Sequence, residues 1–419
     1  MSSHDRRFSQ AAAAMQGSAI RKMGALGVRV PDLISFAPGF PAPEVFAWEE
    51  FREAARTLLD GSDGTVLQYG PTRGYLPLVE AVTKIVAGRG MTASADEVII
   101  TSGSQQALDL TARAFINPGD AVLVELPTYT GAITAFHNAQ GHLVGVEQGP
   151  DGIDLDDLDR VLSRELREGR RIAFLYLVPN FQNPTGLLIG LDKRARLREW
   201  AARNDILIVE DDPYGALYFD DAATEAETRP IKADDADGRV VYLSSFSKTL
   251  APGFRVAWIV AAGPIVEKLE VIKQSTDLCT GALDQRIVHR MWANGVLAAR
   301  LPGLRSFYQH KRRVMEQALR RELGDLISWS EPKGGFFLWA TLPPGMDTDA
   351  LLPRAIEKKV VYVAGSAFFV DGRTGRLARL AFSAATPDRI EEGIRRLALA
   401  VREEMGATDS TQAARPARA

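Results

Sequence analysis

Hydrophobic residues occur along the middle of the chain in two alternating patterns. Short apolar runs, which are typical of buried strands, occupy residues 98–100, 121–125, 172–178, 206–209, 240–243 and 255–260. Between them, apolar residues recur at the three- and four-residue spacing of amphipathic helices, as in the stretch that begins at Gln105. Strands that alternate with helices are joined by crossover connections, so the pattern predicts an α/β fold with a mainly parallel sheet covered on both faces.

The pattern changes after Cys279. It predicts a long helical region from Asp284 to about Arg321, then strands at residues 336–340, 360–363 and 379–382, and a last helix from about Pro387. We interpret this part as a smaller α+β domain. The predicted organisation is an N-terminal arm and helix at 1–44 that packs with the small domain, a large domain at 45–283, a small domain at 284–405 and a disordered tail at 406–419, where apolar residues are too few to pack.

Composition narrows the classes of function. Of 419 residues, 46% are hydrophobic and 25% are charged, and the formal net charge is −3, which is ordinary for a soluble globular protein. The sequence has no basic stripe and no apolar run that could span a bilayer, which argues against nucleic-acid and membrane partners. The single cysteine excludes an internal disulfide and fits a cytoplasmic protein. An organelle transit peptide around Arg6 and Arg7 is less favoured than an ordered arm.

Several common motifs are absent from the sequence. It contains neither G-x-G-x-x-G nor G-x-x-x-x-G-K-[ST], and none of its five histidines is followed by another histidine four positions later. A dinucleotide fingerprint, a P-loop and a zinc-protease helix are therefore excluded, and no metal site is predicted. Four polar clusters stand out instead. Each lies at the end of a predicted strand, where the loops of a parallel sheet usually bind ligands.

The first two clusters are turns with glycine or proline and polar side chains. T-S-G-S-Q at residues 101–105 lies at a predicted helix N-terminus, where unpaired N–H groups and the helix dipole favour a phosphate. A simple helix cap at Ser104 is the alternative. P-N-F-Q-N-P-T-G at residues 179–186 predicts a rigid turn, and the amide of Asn183 lies at a strand end where a ligand could use it.

The other two clusters carry charge. V-E-D-D-P-Y at residues 209–214 places three carboxylates after an apolar strand, which is costly unless a positive group faces them. A carboxylate beneath a protonated heterocycle is one interpretation, and a surface loop is the other. S-S-F-S-K-T-L-A-P-G-F-R at residues 244–255 surrounds Lys248 with hydroxyl groups. A lysine with a lowered pKa forms Schiff bases, and Ser245 and Arg255 suit an anion, whereas a solvated surface lysine is the alternative.

In this order, the four clusters resemble those of class I/II aminotransferases, fold-type I enzymes that depend on pyridoxal 5′-phosphate (PLP). The resemblance covers about residues 20–401. Three stretches are most similar to the branch of 2-aminoadipate and kynurenine aminotransferases, namely I-S-F-A-P-G at 34–39, L-Q-Y-G-P at 67–71 and G-F-F-L-W at 335–339. The resemblance implies the PLP-dependent transferase fold, with a large domain and a smaller α+β domain, and a homodimer with a shared active site.

The resemblance also implies roles for matching residues. Lys248 would hold PLP as a Schiff base and move the proton of the substrate α-carbon, and Asp211 would bind the pyridinium N–H. Tyr214 and Asn183 would hydrogen-bond the phenolic oxygen, and Tyr129 would stack on the ring. The other cofactor contacts are expected from Gly103, Ser104, Gln105, Ser245, Ser247 and Arg255, and from the partner subunit's Tyr69. The alternative for Tyr69 is an interface aromatic residue without ligand contact.

Five further residues concern the substrate. The resemblance implies that Arg379 binds the substrate α-carboxylate and that Gly39 lets the backbone approach it, although a buried ion pair at Arg379 is an alternative. Arg21 could meet a side-chain carboxylate or be a solvated helix residue. Phe40 replaces the leucine usual in these relatives, which puts a preference for long aliphatic side chains in doubt. Phe368 is either a pocket wall or a core aromatic.

These features predict a transaminase with a ping-pong reaction between an L-amino acid of 2-aminoadipate-, glutamate-, aromatic- or kynurenine-like type and a 2-oxo acid. The alternative is another PLP reaction on the same scaffold, such as elimination, decarboxylation or amino-acid oxidation, because the cofactor-binding motifs do not choose the fate of the carbanion. A PLP-sensing transcription regulator is disfavoured, because only roughly the first 30 residues precede the motifs and no basic patch is present.

Overall fold

The computed structural model describes residues 4–9, 12–13, 15, 17, 23 and 30–413. The predictions for Arg21 and for residues 414–419 lie outside the described residues. The strands are β1 (Ile34–Ser35), β2 (Val98–Thr101), β3 (Ala121–Leu126), β4 (His142–Gly149), β5 (Gly152–Ile153), β6 (Ile172–Leu177), β7 (Ile208–Asp211), β8 (Val240–Ser245), β9 (Ala257–Val260), β10 (Ser328–Trp329), β11 (Phe337–Thr341), β12 (Val360–Val361), β13 (Val363–Ala364) and β14 (Leu377–Ala381). The α-helices are α1 (Trp48–Asp60), α2 (Leu76–Ala87), α3 (Ser104–Phe115), α4 (Thr130–Asn138), α5 (Leu155–Arg167), α6 (Leu191–Asn204), α7 (Gly263–Gln274), α8 (Ala282–Ala293), α9 (Val296–Leu323), α10 (Thr348–Glu357) and α11 (Pro387–Ala413).

A central sheet organises the larger part of the described chain, in the strand order β2-β9-β8-β7-β6-β3-β4-β5. Neighbouring strands from β8 through β7, β6 and β3 to β4 run parallel, whereas β9 runs antiparallel to both β8 and β2. The direction of β9 is reversed because the chain returns from β8 through residues 246–256 without a crossover helix. The predicted α/β fold with a mainly parallel sheet is confirmed.

Both faces of this sheet are buried, which explains why its strands are nearly continuous apolar runs. Every residue of β2, β3, β7, β8 and β9 is buried. On one face, the ring of Phe174 in β6 lies 5.1 Å from that of Phe136 in α4 and 6.4 Å from that of Phe115 in α3. The helices α5 and α6 cover the other face, where Trp200 and Leu158 are buried.

A second core forms the smaller domain. Its sheet has the order β10-β11-β14-β13 and is antiparallel throughout. The helices α9, α10 and α11 contribute Leu319, Leu351 and Ile394 to this core. The strand β1 pairs in parallel with β12, and Phe36 is fully buried in the same core. Residues 30–44 of the predicted N-terminal arm therefore pack with the small domain.

The break between α8 and α9, the packing of α8 and the end of α11 differ from the sequence prediction. The long helical region after Asp284 is two helices, because Gly295 with a φ of 73° interrupts the helical path between α8 and α9. The helix α8 buries Ile287 in a core with α1 and α2, so it packs with the large domain although a domain boundary was predicted at residue 284. At the other end, α11 continues to Ala413, past the predicted start of the tail at 406, because Met405 still packs on the small-domain core.

The described residues also bear on the questions of membrane-spanning helices, metal-binding groups and free thiols. No helix among the described residues is long and apolar enough to cross a membrane. Within the same described ranges, no group of three His, Cys, Asp or Glu side chains is arranged to hold a metal ion. Cys279 is a free, half-buried thiol.

Replacing Phe174 with alanine should destabilise the large domain strongly. Its ring is fully buried between the sheet and α4, so truncation leaves a cavity that costs about 3–5 kcal/mol of unfolding free energy. The control is Leu166→Ala on α5, because Leu166 is 56% exposed and its loss should cost less than about 0.5 kcal/mol. Urea denaturation followed by circular dichroism measures both variants, and equal losses would contradict the assignment of Phe174 to the core.

Candidate active site

A cavity of about 450 Å³ lies at the carboxyl ends of the central strands. Loops that follow β2, β3, β6, β7 and β8 contribute most of its wall, as expected for a ligand site in a parallel sheet. The small domain contributes Phe337 of β11 and Arg379 of β14, and the N-terminal segment contributes Gly39 and Phe40. The cavity is therefore built from both domains, and their relative position sets its shape.

Asp211 is the last residue of β7 and is buried at the cavity wall. Its Oδ2 accepts a hydrogen bond from the Tyr176 hydroxyl at 2.8 Å, whereas its Oδ1 is buried without a hydrogen-bond partner among the described residues. Burial raises the pKa of this carboxyl to about 7, although the Tyr176 hydrogen bond opposes the shift. A buried carboxyl group with one free oxygen is suited to a cationic N–H donor on a ligand.

The two neighbouring carboxylates bind protein groups instead. Glu210 accepts backbone N–H groups from Ile231 at 2.8 Å and Lys232 at 2.9 Å. Asp212 forms an ion pair with Arg89 at 3.1 Å. Because side chains alternate along a strand, Glu210 and the following Asp212 point away from the face that carries Asp211. Of this acidic cluster, Asp211 is the member that lines the cavity.

Lys248 follows β8 and extends its amine into the same cavity. Its Nζ donates a hydrogen bond to the carbonyl of Gly39 at 3.0 Å and lies 5.8 Å from the ring centre of Tyr214. Burial, together with the positive charges of Arg379 and Arg255, lowers the pKa of this amine to about 8. At neutral pH, a useful fraction of Lys248 is therefore the neutral amine that attacks a carbonyl carbon.

A helix N-terminus and a guanidinium meet at one end of the cavity. Gly103 precedes α3 with a φ of 84°, a conformation that favours glycine. A Cβ at this position would lie 2.1 Å from Nη2 of Arg255, so glycine allows the guanidinium to approach. Ser104 is the first residue of α3 and lines the cavity beside it. The helix dipole, the N–H groups and Arg255 together suit a phosphate.

Hydroxyl and amide groups complete this end of the cavity. The Ser245 hydroxyl donates to the Ser247 hydroxyl at 2.8 Å and accepts the Ser247 backbone N–H at 2.9 Å. Gln105 lines the cavity and donates from Nε2 to the carbonyl of Gly131 at 3.0 Å, which joins α3 to α4. The serine contacts therefore fix the loop after β8, and the Gln105 contact fixes the start of α3 against α4.

Two tyrosines enclose the middle of the cavity. Tyr129 precedes α4, and a Cβ at Gly131 would lie 2.5 Å from its ring, so the glycine allows this ring position. Tyr214 is buried, and its ring centre lies 5.5 Å from that of Phe336 and 5.8 Å from that of Phe337. Burial raises the pKa of the Tyr214 phenol well above its usual range, so the phenol stays protonated and can donate a hydrogen bond.

Arg379 on β14 is the fully buried cation of the cavity wall. Its Nη1 donates to the Asn183 amide oxygen at 2.7 Å, and its Nη2 donates to the carbonyl of Ala37. The guanidinium carbon lies 4.4 Å from the ring centre of Phe337 and 5.1 Å from that of Phe368. Burial lowers its pKa to about 10, so it remains charged at neutral pH and is suited to a carboxylate.

An aromatic wall lies next to Arg379. A Cβ at Gly39 would lie 2.5 Å from the ring of Phe337, so this glycine lets the N-terminal segment approach the small domain closely. Phe40 lines the cavity and is 60% exposed, as expected for a residue at the mouth. Phe368 is fully buried against Trp339, with ring centres 5.6 Å apart, so the core interpretation of Phe368 describes its position better.

The structure brings most of the predicted site residues together. The cavity wall contains Gly39, Ser104, Gln105, Tyr129, Asn183, Asp211, Tyr214, Ser245, Ser247, Lys248, Arg255 and Arg379. Gly103 lies directly before this wall and contacts Arg255. Tyr69 is 79% exposed and is not part of the wall within the described chain. Arg21 lies outside the described residues.

Sequence reasoning missed Tyr176, which orients Asp211. The residue occurs in a run of apolar residues on β6, and its fully buried hydroxyl has to find a partner on a neighbouring strand. The strand β7 is that neighbour, and it ends at Asp211. A lone tyrosine inside a buried apolar strand is the signal that could have identified it.

The residues present fit PLP. Asp211 Oδ1 is an unpaired buried acceptor, which matches the pyridinium N–H of the cofactor. At the other end, the N-terminus of α3, the serine hydroxyls and Arg255 match its phosphate. Lys248 is a lysine of lowered pKa, which suits its aldehyde. Three different chemical groups of one molecule therefore find complementary partners in one cavity.

The chain is similar to proteins of known activity along almost its whole length. The family model described as aminotransferase class I and II matches residues 35–397. Aromatic-amino-acid aminotransferase 1 of Thermococcus litoralis is 41% identical over 96% of this chain and 95% of its own, and 2-aminoadipate transaminase of Thermus thermophilus is 41% identical over 94% and 96%. The structure of kynurenine aminotransferase of Pyrococcus horikoshii with PMP superposes with a TM-score of 0.90 at 40% identity, over 96% of this chain and 98% of that chain.

Lys248 in the cofactor-free protein should react with amine reagents at a lower pH than an ordinary lysine. Its neutral form appears as the pH rises through about 8, whereas an ordinary lysine has a pKa of about 10.4. Reductive methylation with formaldehyde over a pH series, followed by mass spectrometry of peptides, measures this midpoint. The exposed Lys268 on α7 is the internal control, and identical pH profiles for the two lysines would contradict the described environment of Lys248.

Proposed function

The chain belongs to the class I and II aminotransferase family, and we propose that its preferred amino donor is an L-amino acid with an aromatic side chain. It is a PLP-dependent enzyme that transfers the amino group of an amino acid to a 2-oxo acid. The observation that carries the donor proposal is the pair of aromatic rings of Phe40 and Phe337 in a cavity that also contains Arg379.

In this proposal, the cofactor is held at three points. Asp211 accepts the hydrogen of the ring nitrogen, and Tyr176 keeps the carboxylate oriented toward it. The N-terminus of α3 and Arg255 hold the phosphate, and Tyr129 stacks on the ring. When bound, PLP supplies a carbonyl carbon for amines and a conjugated ring that withdraws electrons.

Lys248 has two tasks in this proposal. As a neutral amine, a state that its lowered pKa favours, it would hold the cofactor through the carbonyl carbon, with loss of water. Once an amino substrate has taken its place, Nζ would accept the proton of the substrate α-carbon and would return a proton to the cofactor. Its neighbours Arg379 and Arg255 favour the first task, because their positive charges disfavour protonation of Nζ and so keep the amine neutral.

The α-carboxylate of the substrate is assigned to Arg379. Its guanidinium is fully buried and presents a planar set of donors, which matches a carboxylate. Asn183 and the Ala37 carbonyl already hold two of its nitrogens and so fix its plane. The phenol of Tyr214 is held protonated by burial, so it could donate a hydrogen bond to the phenolic oxygen of PLP.

The substrate side chain then lies toward the mouth of the cavity. Among the described residues that line it, the cations are Lys248, Arg255 and Arg379, and each already has a role. Aromatic rings of Phe40 and Phe337 remain for the side chain, and they favour an apolar or aromatic group. The similarity to an aromatic-amino-acid aminotransferase and to a kynurenine aminotransferase supports this donor class.

A 2-aminoadipate-like donor is the second candidate. It is supported by the 41% identity to a 2-aminoadipate transaminase. Such a donor needs a cation for its distal carboxylate, and Arg21 is the residue that the sequence offers for this purpose. Another PLP reaction on the same scaffold is the remaining alternative.

The donor class is tested by single-turnover titration of the PLP-bound enzyme with individual amino acids. Phe40→Ala should lower kcat/KM for phenylalanine or kynurenine about tenfold, because an aromatic contact is lost, and should change kcat/KM for alanine less than about twofold. Arg21→Ala is the matched variant and should leave aromatic donors unchanged.

Three other outcomes would decide against the donor proposal. Faster conversion of 2-aminoadipate than of aromatic donors, lost in Arg21→Ala, would establish the second candidate. Equal effects of Phe40→Ala on alanine and phenylalanine would show that this ring does not select the side chain. Release of ammonia or consumption of oxygen, without a pyridoxamine spectrum, would place the enzyme in another reaction class.

We further propose that the enzyme is a cytoplasmic homodimer. The segment before α2 exposes large apolar side chains that a partner subunit would cover, with Leu67 76% and Tyr69 79% exposed. In the proposed dimer, the partner subunit's Tyr69 reaches the phosphate end of the cavity. The cytoplasmic location is supported by the free thiol of Cys279.

Subunit complementation tests the shared site. Lys248→Ala and Tyr69→Ala should each be nearly inactive alone. The assay uses a PLP concentration too low to saturate Tyr69→Ala, because this variant is expected to bind the cofactor weakly. Refolded together in equal amounts, they should regain about a quarter of the wild-type activity, because half of random dimers then contain one intact site of two. No gain over the separate variants would contradict a Tyr69 that acts across the interface, and an active monomer in sedimentation would contradict the dimer.

A further inference from the structure

An ion pair between a buried lysine and a partly exposed aspartate lies outside the cavity lining, close to the loop that begins α3. Lys273, in the last turn of α7, is completely buried, and its Nζ lies 2.6 Å from Oδ1 of Asp277. The same Nζ donates to Oε1 of Gln106 at 3.2 Å. A lysine without exposure is rare in proteins, and it is tolerated where its charge is paired and hydrogen-bonded.

Both partners of Lys273 also accept hydrogen bonds from Ser102, which lies in the loop between β2 and α3. Asp277 Oδ2 accepts the Ser102 hydroxyl at 2.6 Å, and Gln106 Oε1 accepts the Ser102 backbone N–H at 2.7 Å. The hydroxyl of Thr280 lies 3.3 Å from that of Ser102. Ser102 is therefore held through its backbone and its side chain at once, and both contacts end at the buried lysine.

This loop sets the position of the phosphate-binding groups. Ser102 directly precedes Gly103, which needs a positive φ and leaves room for Arg255. The next residue, Ser104, begins α3, so the orientation of Ser102 determines where the first N–H groups of the helix point. An error in this orientation would misplace the helix N-terminus relative to the phosphate.

We propose that the Lys273–Asp277 pair is a positioning device that fixes the phosphate-binding loop through Ser102 and Gln106. This inference rests on the proposed mode of cofactor binding. The pair acts on the affinity for the phosphate group of the cofactor rather than on the chemistry at Lys248, because neither residue touches the cavity.

The test compares binding of PLP and of pyridoxal, which lacks the phosphate, to cofactor-free protein. Lys273→Met should raise the dissociation constant for PLP about tenfold or more, because a hydrogen-bonded charged network is lost, and should change that for pyridoxal less than about twofold. Ser102→Ala removes a single hydroxyl of the network and should act in the same direction by about threefold to tenfold. At saturating PLP, kcat of both variants should stay within about threefold of wild type.

The matched control is Lys232→Met. Lys232 also forms a lysine–aspartate pair, with Asp235 at 2.8 Å and side chains 9% and 3% exposed, and it does not line the cavity. This variant should leave the ratio of the two dissociation constants unchanged. If Lys273→Met fails to fold, Ser102→Ala and Asp277→Asn carry the test with the same expected ratio.

Two results would overturn the proposal. Equal weakening of PLP and pyridoxal by Lys273→Met or Ser102→Ala would show a general structural effect, and unchanged PLP affinity in folded variants would show no effect on the loop. If the proposed mode of cofactor binding is itself wrong, the wild-type protein would bind PLP no more tightly than pyridoxal. The wild-type measurement therefore distinguishes this failure from failure of the proposal on Lys273.

Discussion

The active site depends on one carboxylate oxygen that the protein leaves unpaired. Asp211 is buried at the end of β7, where Tyr176 satisfies Oδ2 and no described residue satisfies Oδ1. The two neighbouring carboxylates bind protein groups instead, because Glu210 accepts backbone N–H groups and Asp212 pairs with Arg89. Burial holds the pKa of Asp211 near 7, so its charged form at neutral pH is stabilised when a cationic N–H binds the free oxygen. In the proposed mode of binding, the protonated ring nitrogen of PLP is that group. The other residues of the cavity then hold the ring where its nitrogen meets Asp211.

The cavity also depends on a contact between the domains, which the guanidinium of Arg379 makes. Arg379 belongs to the small domain, Asn183 to the large domain and Ala37 to the N-terminal segment, and they are joined by hydrogen bonds of one guanidinium. A substrate carboxylate at Arg379 would bind where these three parts meet, so binding and the relative position of the domains are coupled. The positive charges of Arg379 and Arg255 also lower the pKa of Lys248, so the two arginines proposed to bind the anions of substrate and cofactor also favour the neutral form of the lysine.

Much of this arrangement could be predicted from the sequence, for physical reasons that vary between elements. Strands such as β6 and β8 are buried on both faces and read as continuous apolar runs, whereas β4, at H-L-V-G-V-E-Q-G, mixes polar and apolar residues near the sheet edge and was not predicted. The break at Gly295 was missed because the apolar spacing of α8 and α9 continues across it. The cavity residues follow strand ends and were predictable by family resemblance, but Tyr176 and Lys273 act through partners distant in sequence. Only the register of β6 with β7 and the packing of α7 reveal those contacts.

We infer that Asp211 keeps the cofactor ring protonated in a buried site. The most direct measurement is the ¹⁵N NMR shift of the ring nitrogen in enzyme reconstituted with ¹⁵N-labelled PLP, recorded at pH 8 for wild type and Asp211→Ala. We expect a protonated ring nitrogen in the wild-type enzyme and an unprotonated one in the variant. An unprotonated nitrogen in the wild type, or the same shift in both proteins, would contradict this role of Asp211.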